Sequence, residues 1–283
     1  MDKKILLNRM KHSPFFIIGI FFIVFLLLVC FLSPLYIQFD PIKSDIANKF
    51  QAPDFSQGFK GHILGTDNMG RDVFTRLVVG GRISLTIALI VLTLQILVGV
   101  IMGLVSGYFG GVIDVIVMRL CEIVLSIPHL ILAIAIMSVM GPSLGNLVFV
   151  MVFSGWVYVC KVTRNNVRVL KNQEFVHASI VLGAKTPHII FRQILPNVLT
   201  QIFIVGSQRF GDAILTEAAL SFLSLGIQPP DPAWGNMISA GRSYIVTYPW
   251  MVIAPGIALM LAVLSLNFLG DGLRDVLDPK RKV

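Results

Sequence analysis

The chain has 283 residues, of which 55% are hydrophobic and 13% charged, with a formal net charge of +8 and a mean hydropathy of +0.83. A water-soluble domain of this length needs far more polar surface, and several apolar runs reach the roughly 20 residues that cross a bilayer as helix. Composition therefore excludes a soluble globular protein, and basic residues clustered beside the apolar runs mark membrane topology, not a nucleic-acid surface.

Met1 to Ser13 is short and basic, with Lys3, Lys4, Arg9 and Lys11. Phe15 to Leu32 is unbroken apolar sequence that extends to about Tyr36. It is too long for a signal-peptide core and no small-residue cleavage site follows, so it is expected to be a first span with its N-terminus inside. The segment 37–81 is the longest polar stretch, mixing Asp40, Asp45, Asp54 and Asp67 with Lys43, Lys49 and Lys60. Gly65-Thr66-Asp67 is turn chemistry. Asp72 to Val79 is expected to form a short amphipathic helix, interrupted at Gly80-Gly81.

Ile83 to Tyr108 is read as the second span. Gly99, Gly103 and Gly107 recur every four residues there, a small-residue face suited to close helix packing. Val112 to about Met140 is read as a third span kinked at Pro128. It carries Asp114, Arg119 and Glu122, of which the outermost is expected to snorkel to the surface and the others to pair. Asn146 to about Val162 is the fourth span, followed by Lys161, Arg164, Arg168 and Lys171. Val198 to about Leu225 is the fifth, with Arg209, Asp212 and Glu217 inside it. Met251 to about Leu269 is the sixth, and the tail ends on Lys280, Arg281 and Lys282.

Between spans four and five lies a polar stretch, Glu174 to Asn197. Glu174 starts a short helix, where a negative charge suits the macrodipole. Gly183 is placed to stop it in left-handed geometry. Thr186 is expected to cap a second short helix with Pro187 at its first position, closed by Leu195-Pro196-Asn197.

Six spans place both termini on one side. The N-terminal segment, the loop 164–197 and the tail are basic, so all three are expected to be cytoplasmic. The expected organisation is an inner segment 1–13, a first span 14–36, an outer segment 37–81, and a five-helix core 82–283 containing the inner loop 164–197. The fold class is all-α and polytopic.

Several stretches resemble the permeases of bacterial ABC importers. Their cytoplasmic "EAA" loop reads Glu-Ala-Ala, three residues, Gly, then about a dozen residues to Leu-Pro. Here His177-Ala178-Ser179 stands for the triplet, with histidine in place of glutamate, and Gly183, Leu195 and Pro196 match. Leu64 to Asp72, with Gly65, Thr66, Asp67, Gly70, Arg71 and Asp72, resembles the segment before the second span in the peptide and nickel importers of that family. SIPHLILAI at Pro128, TEAALSFLSLG at Glu217, PPDPAWG with Trp234 and Gly235, and the closing Asp278-Pro279 also fit. The resemblance is to the second, C-type permease of dipeptide, oligopeptide and nickel systems. It implies the ABC-importer permease fold in a bacterial cytoplasmic (inner) membrane. It also implies a homologous second permease, one or two ABC ATPases docked on the loop that includes Glu174, and an external or periplasmic solute-binding protein.

No GxxxxGK[ST] phosphate loop is present, so energy for any uphill transport must come from elsewhere. No nucleophile–base pair, cofactor fingerprint or metal cluster is found, and Cys30, Cys121 and Cys160 read as small buried hydrophobes. The chain is expected to be a non-enzymatic translocating subunit for peptides, with nickel or a metal chelate as the alternative cargo. An ion-coupled secondary transporter using Arg209, Asp212 and Glu217 is the reading from a different class. Those three residues either line a pathway or form a buried structural ion pair. The outer signature is either a shaped re-entry turn or a substrate contact.

Overall fold

The structure, a computed structural model, describes residues 9–56, 58 and 61–277. Both chain ends, with Lys3, Lys4, Asp278-Pro279, Lys280, Arg281 and Lys282, lie outside the described residues, as does Lys60. Among the described residues the regular elements are helical, and extended backbone pairs only at an isolated bridge between Thr66 and Asp72.

Helix α1 (Pro14–Phe31) begins where local chemistry dictates. Ser13 Oγ accepts the Phe16 N–H at 3.4 Å and Pro14 takes the first turn. The helix packs along α9 (Trp250–Leu277). Gly19 lies against the backbone of Ser265 and Leu269, and Gly272 lies against Phe16. Its other side exposes Phe21, Phe25 and Leu28, as an apolar helix facing lipid should.

Helix α2 (Val73–Phe109) is capped by Asp72, whose Oδ2 accepts the Thr75 N–H at 2.7 Å. It runs through Gly80 and Gly81 without the expected interruption. The two glycines serve a close crossing: a Cβ at Gly81 would stand 2.6 Å from the Trp234 ring, and Gly80 faces the Ala233 backbone. Farther along, Gly99, Gly103 and Gly107 face α5 (Leu144–Lys171). Added Cβ atoms there would lie 2.6 Å from Val159 Cβ, 2.5 Å from Thr163 Cβ and 2.8 Å from the Arg164 carbonyl oxygen. The four-residue glycine period is thus the seam along which two helix backbones meet. Helix α5 continues past Val162 to Lys171, whose ammonium donates to the Tyr108 carbonyl at 2.6 Å.

The third apolar stretch is more than kinked. It divides into α3 (Gly111–Leu125) and α4 (His129–Met140), bent by 82°. Pro128 lacks an N–H and disfavours helical geometry at Ile127, so the ladder cannot cross the gap. Among the described residues five helices are long and apolar enough to cross a membrane, and up to six spans result when this bent pair counts as one. Asp114 pairs with Arg164 of α5, not with its own helix, while Arg119 and Glu122 pair on the surface at 2.6 Å.

After α5 come α6 (Glu174–Val181) and α7 (Thr186–Phe222), then α8 (Trp234–Gly241) and α9. The expected stop at Leu195-Pro196-Asn197 is absent, because α7 is continuous. A π-helical turn spans Ile189–Ile194, and the Leu195 N–H reaches back to Ile190. Pro196 then sits in the first α turn after it, where the missing N–H does least harm. Nor does Thr186 cap α7; it is the first helical residue, Lys185 flanks it, and no side chain bonds the helix end.

The main apolar core joins α1, α2, α4, α5, α7 and α9 around residues such as Leu85, Val91, Met137, Leu147, Ile214 and Leu266. A second cluster, with Leu104, Val167, Val176, Ile189, Ile194, Val198 and Ile202, binds the α6–α7 hairpin to the ends of α2 and α5. Cys30, Cys121 and Cys160 are buried and free.

Candidate functional site

The α6–α7 hairpin is built to be held on one side and open on the other. Val176 is fully buried in the second cluster, together with Ile189 and Ile194. Helix α6 ends in a Schellman turn: Gly183 N–H bonds Ile180 O and Ala184 N–H bonds Ser179 O, both at 3.0 Å. Gly183 has φ of 81°, the left-handed conformation such a turn requires. Ser179 Oγ donates to Phe175 O at 2.9 Å and accepts from Gln193 Nε2 at 2.6 Å, tying α6 to the π turn of α7. Outward, Phe175, Ile180, Val181, Leu182 and Phe191 are exposed, Val181 and Leu182 by 86% each. Glu174, His177, Ala178, Gly183 and Pro196 are exposed too, with Ser179 and Leu195 half-buried. The result is an apolar surface rimmed by polar groups, at the end of the helices where Arg168, Lys171, Lys185 and Arg192 also gather.

The outer signature forms a clasp. Asp67 Oδ1 accepts the N–H groups of Met69 and Arg71 at 2.8 and 3.0 Å, and its Oδ2 meets Arg71 Nε at 2.7 Å and Arg76 Nε at 3.6 Å. Arg76 in turn donates to Pro41 O at 2.6 Å and Pro230 O at 3.3 Å, joining segments far apart in sequence. Thr66 Oγ1 donates to Asn48 O and accepts from the Gln51 N–H, and Trp250 Nε1 donates to Thr66 O at 3.2 Å. Gly65 and Gly70 have positive φ, and a Cβ on Gly70 would overlap the Asp45 carbonyl. Asp72 caps α2 and holds His62 Nδ1 at 2.9 Å. Trp234 is buried and donates to Leu77 O at 2.9 Å, and Gly235 packs on the Ala218 carbonyl. Asp67, Asp72, Arg76 and Trp234 join the segment 37–72 and the loop and start of α8 to the start of α2, while Trp250 ties the same segment to α9.

The three charges of α7 part company. Arg209 Nη1 bonds Asp212 Oδ2 at 3.2 Å, and its guanidinium lies 3.8 Å over the Tyr158 ring. This pair lines a cavity of about 450 Å³ between α2, α5 and α7, shared with Lys161, Thr216, Gln95 and His129. In the free chain the Asp212 side chain is 62% exposed and that of Arg209 28%. Glu217 is elsewhere, fully buried in the core. Its Oε1 accepts from Ser221 Oγ at 2.7 Å, and Ser221 Oγ accepts the Ile227 N–H at 3.1 Å. It stabilises the turn that leaves α7.

Residues 95–283 match the family model described as the binding-protein-dependent transport system inner membrane component, and residues 4–53 match the N-terminal TM domain of oligopeptide transport permease C. The chain belongs to this permease family. It is 39% identical to a dipeptide transport system permease protein of Alkalihalophilus pseudofirmus, over 97% of this chain and 89% of that protein. It is 37% identical to an oligopeptide transport system permease protein of Bacillus subtilis, over 96% and 88%. It is also 39% identical to a glutathione transport system permease protein of Pectobacterium atrosepticum, over 84% and 79%. A solved structure described as an amino acid ABC transporter with histidines superposes with a TM-score of 0.54 at 15% identity, covering 69% of this chain and 91% of that one. That likeness concerns the fold alone.

Sequence reasoning missed part of the permease's polar machinery. Gln193, which locks the hairpin, carries no motif. Gln95 donates to Met151 O at 2.8 Å inside the membrane helices and fills the space opposite Gly155. Tyr158, Lys161 and Thr216 had a readable signal: Arg209, Asp212 and Thr216 recur at helical spacing on one face of α7, and Tyr158 and Lys161 on one face of α5. His129, the first residue of α4, bonds Thr216 at 3.1 Å across the break.

Proposed function

We propose that this permease is one half of the membrane pathway of an ATP-driven peptide importer. The observation that carries the reading is the hairpin, clamped inside by Val176, Ile189 and Ile194 while it leaves Val181, Leu182 and Phe191 exposed. An apolar face so placed, in a chain without a phosphate loop, suits the groove of a separate ATPase. The dipeptide, oligopeptide and glutathione permeases among its relatives favour peptides over nickel. The partners proposed are a homologous second permease, one or two cytoplasmic ATPases and an external solute-binding protein. The orientation proposed has both termini and the hairpin in the cytoplasm, 38–81 and 227–248 outside, and the bacterial cytoplasmic membrane as the location. In this orientation the Asp67–Arg76 clasp is a structural tie on the outer face.

Energy transfer follows from continuity. Helix α7 runs unbroken from the hairpin at Thr186 to Arg209 at the cavity, roughly 35 Å at 1.5 Å per residue. A tilt imposed at the hairpin therefore moves the cavity wall. ATP binding, by favouring one docked geometry over another, shifts the population between outward and inward access. The test is reconstitution with the proposed partner subunits in liposomes. ATP-dependent uptake of a labelled dipeptide, insensitive to ionophores, is expected. Uptake of nickel in place of peptide would select the metal alternative, and uptake abolished by ionophore with ATP present would select an ion-coupled carrier.

A further inference from the structure

The cavity lined by α2, α5 and α7 combines charged groups with apolar walls. Two cations, Arg209 and Lys161, and one anion, Asp212, line it together with the apolar Leu125, Met151 and Val157. Charges at this depth are costly unless they are satisfied. Yet among the described residues the hydrogen bond formed by the Arg209 guanidinium is a single one, to Asp212, at a long 3.2 Å. Its planar face rests on Tyr158 at 3.8 Å, which fixes the fork while leaving further donors for a planar acceptor. A volume of about 450 Å³ falls in the range of small-molecule pockets. Its walls are apolar where side chains of any kind must be tolerated.

We propose that this cavity is a transit site for a zwitterionic short peptide, with Arg209 and Lys161 taking the terminal carboxylate and Asp212 the terminal ammonium. The inference rests on the peptide-importer reading and extends it. The resting Arg209–Asp212 pair matches those two charges when the site is empty and leaves Lys161 as the surplus cation. An entering zwitterion exchanges that pair for two intermolecular ones, so the net charge of the site is the same before and after entry. Side chains of the cargo meet a wall that is mainly apolar, including Leu125, Met151 and Val157, so the site reads peptide ends more than sequence.

The experiment uses the complete complex of permeases and ATPases in nanodiscs, without binding protein, and with Cys30, Cys121 and Cys160 replaced by alanine. Thr216→Cys places a reporter thiol in the cavity wall, and Ser154→Cys provides a second one on the facing helix in case loss of the His129–Thr216 bond disturbs folding. Labelling by a small maleimide is timed with Ala-Ala or with its N-acetyl, C-amide form. Ala-Ala is expected to slow labelling by 1 + [L]/Kd, about threefold at a concentration of twice Kd. The blocked peptide should have no effect, and Arg209→Gln should remove the protection. Equal protection by both peptides, protection by neither, or thiols inaccessible because the second permease fills the cavity would each overturn the proposal. Peptide uptake by the parent complex with its binding protein is measured in parallel. Uptake without protection sinks the site alone, whereas absence of any peptide uptake sinks the importer reading.

Discussion

Replacing Gly183 by valine perturbs the hairpin and little else. Gly183 has φ of 81°, and a Cβ added there meets nothing within 4 Å, so no packing cost arises. What remains is the backbone cost of placing a β-branched residue in left-handed geometry, on the order of 1–2 kcal/mol. Escape from that cost breaks the two Schellman bonds, from Gly183 to Ile180 and from Ala184 to Ser179. Helix α6 would then swing about Val176, its buried anchor. A bias of this size changes a two-state population by about 5- to 30-fold. Uptake of labelled peptide and peptide-stimulated ATP hydrolysis in proteoliposomes should fall by that factor, with the amount of permease in the membrane unchanged. Gly183→Asn, which tolerates the left-handed region, should lose less. Wild-type uptake with Gly183→Val would refute the reasoning. So would loss of the protein from the membrane, since it would give the turn a role in folding the spans.

Gly99→Val should destabilise the complex in a detergent melt by about 1–3 kcal/mol or more through overpacking against Val159 and the Trp156 carbonyl. Gly145→Ala, with nothing within 4 Å of its added Cβ, should leave the melting curve unchanged. Glu217→Ala removes the acceptor of the buried Ser221 hydroxyl and is expected to cost about 1–3 kcal/mol in the same melt, whereas Glu217→Gln should retain most of the stability. In the permease with its native cysteines removed, in cells with an accessible outer face, Ser56→Cys should react with an impermeant thiol reagent and Asn172→Cys should not. The opposite pattern would invert the topology.

Signals that are local in sequence proved readable, and those that depend on a distant partner did not. The unbroken apolar run from Phe15 announces α1, and the period of Gly99, Gly103 and Gly107 announces a helix seam, because each acts along a single helix. Gly183 announces its own conformation for the same reason. Gly80-Gly81 read as a break because a glycine pair lowers helix propensity, while the reason for it, the Trp234 ring, lies far along the chain. Pro196 read as a stop because the π turn that accommodates it has no sequence signature. The charges of α7 were visible as a set, but their division was not. Burial with Ser221 places Glu217 in the core, and stacking on Tyr158 holds Arg209 at the cavity.

The claim that energy reaches the spans through the hairpin is tested most directly by a cross-link from its exposed tip. Leu182→Cys in the cysteine-free permease, 86% exposed at this position in the free chain, is treated with a short bifunctional thiol–amine reagent in the assembled complex. The account predicts a covalent adduct with the ATPase subunit whose yield changes when ATP is added. Adducts formed solely with the external binding protein, or none with the ATPase in a complex that still transports peptide, would contradict it.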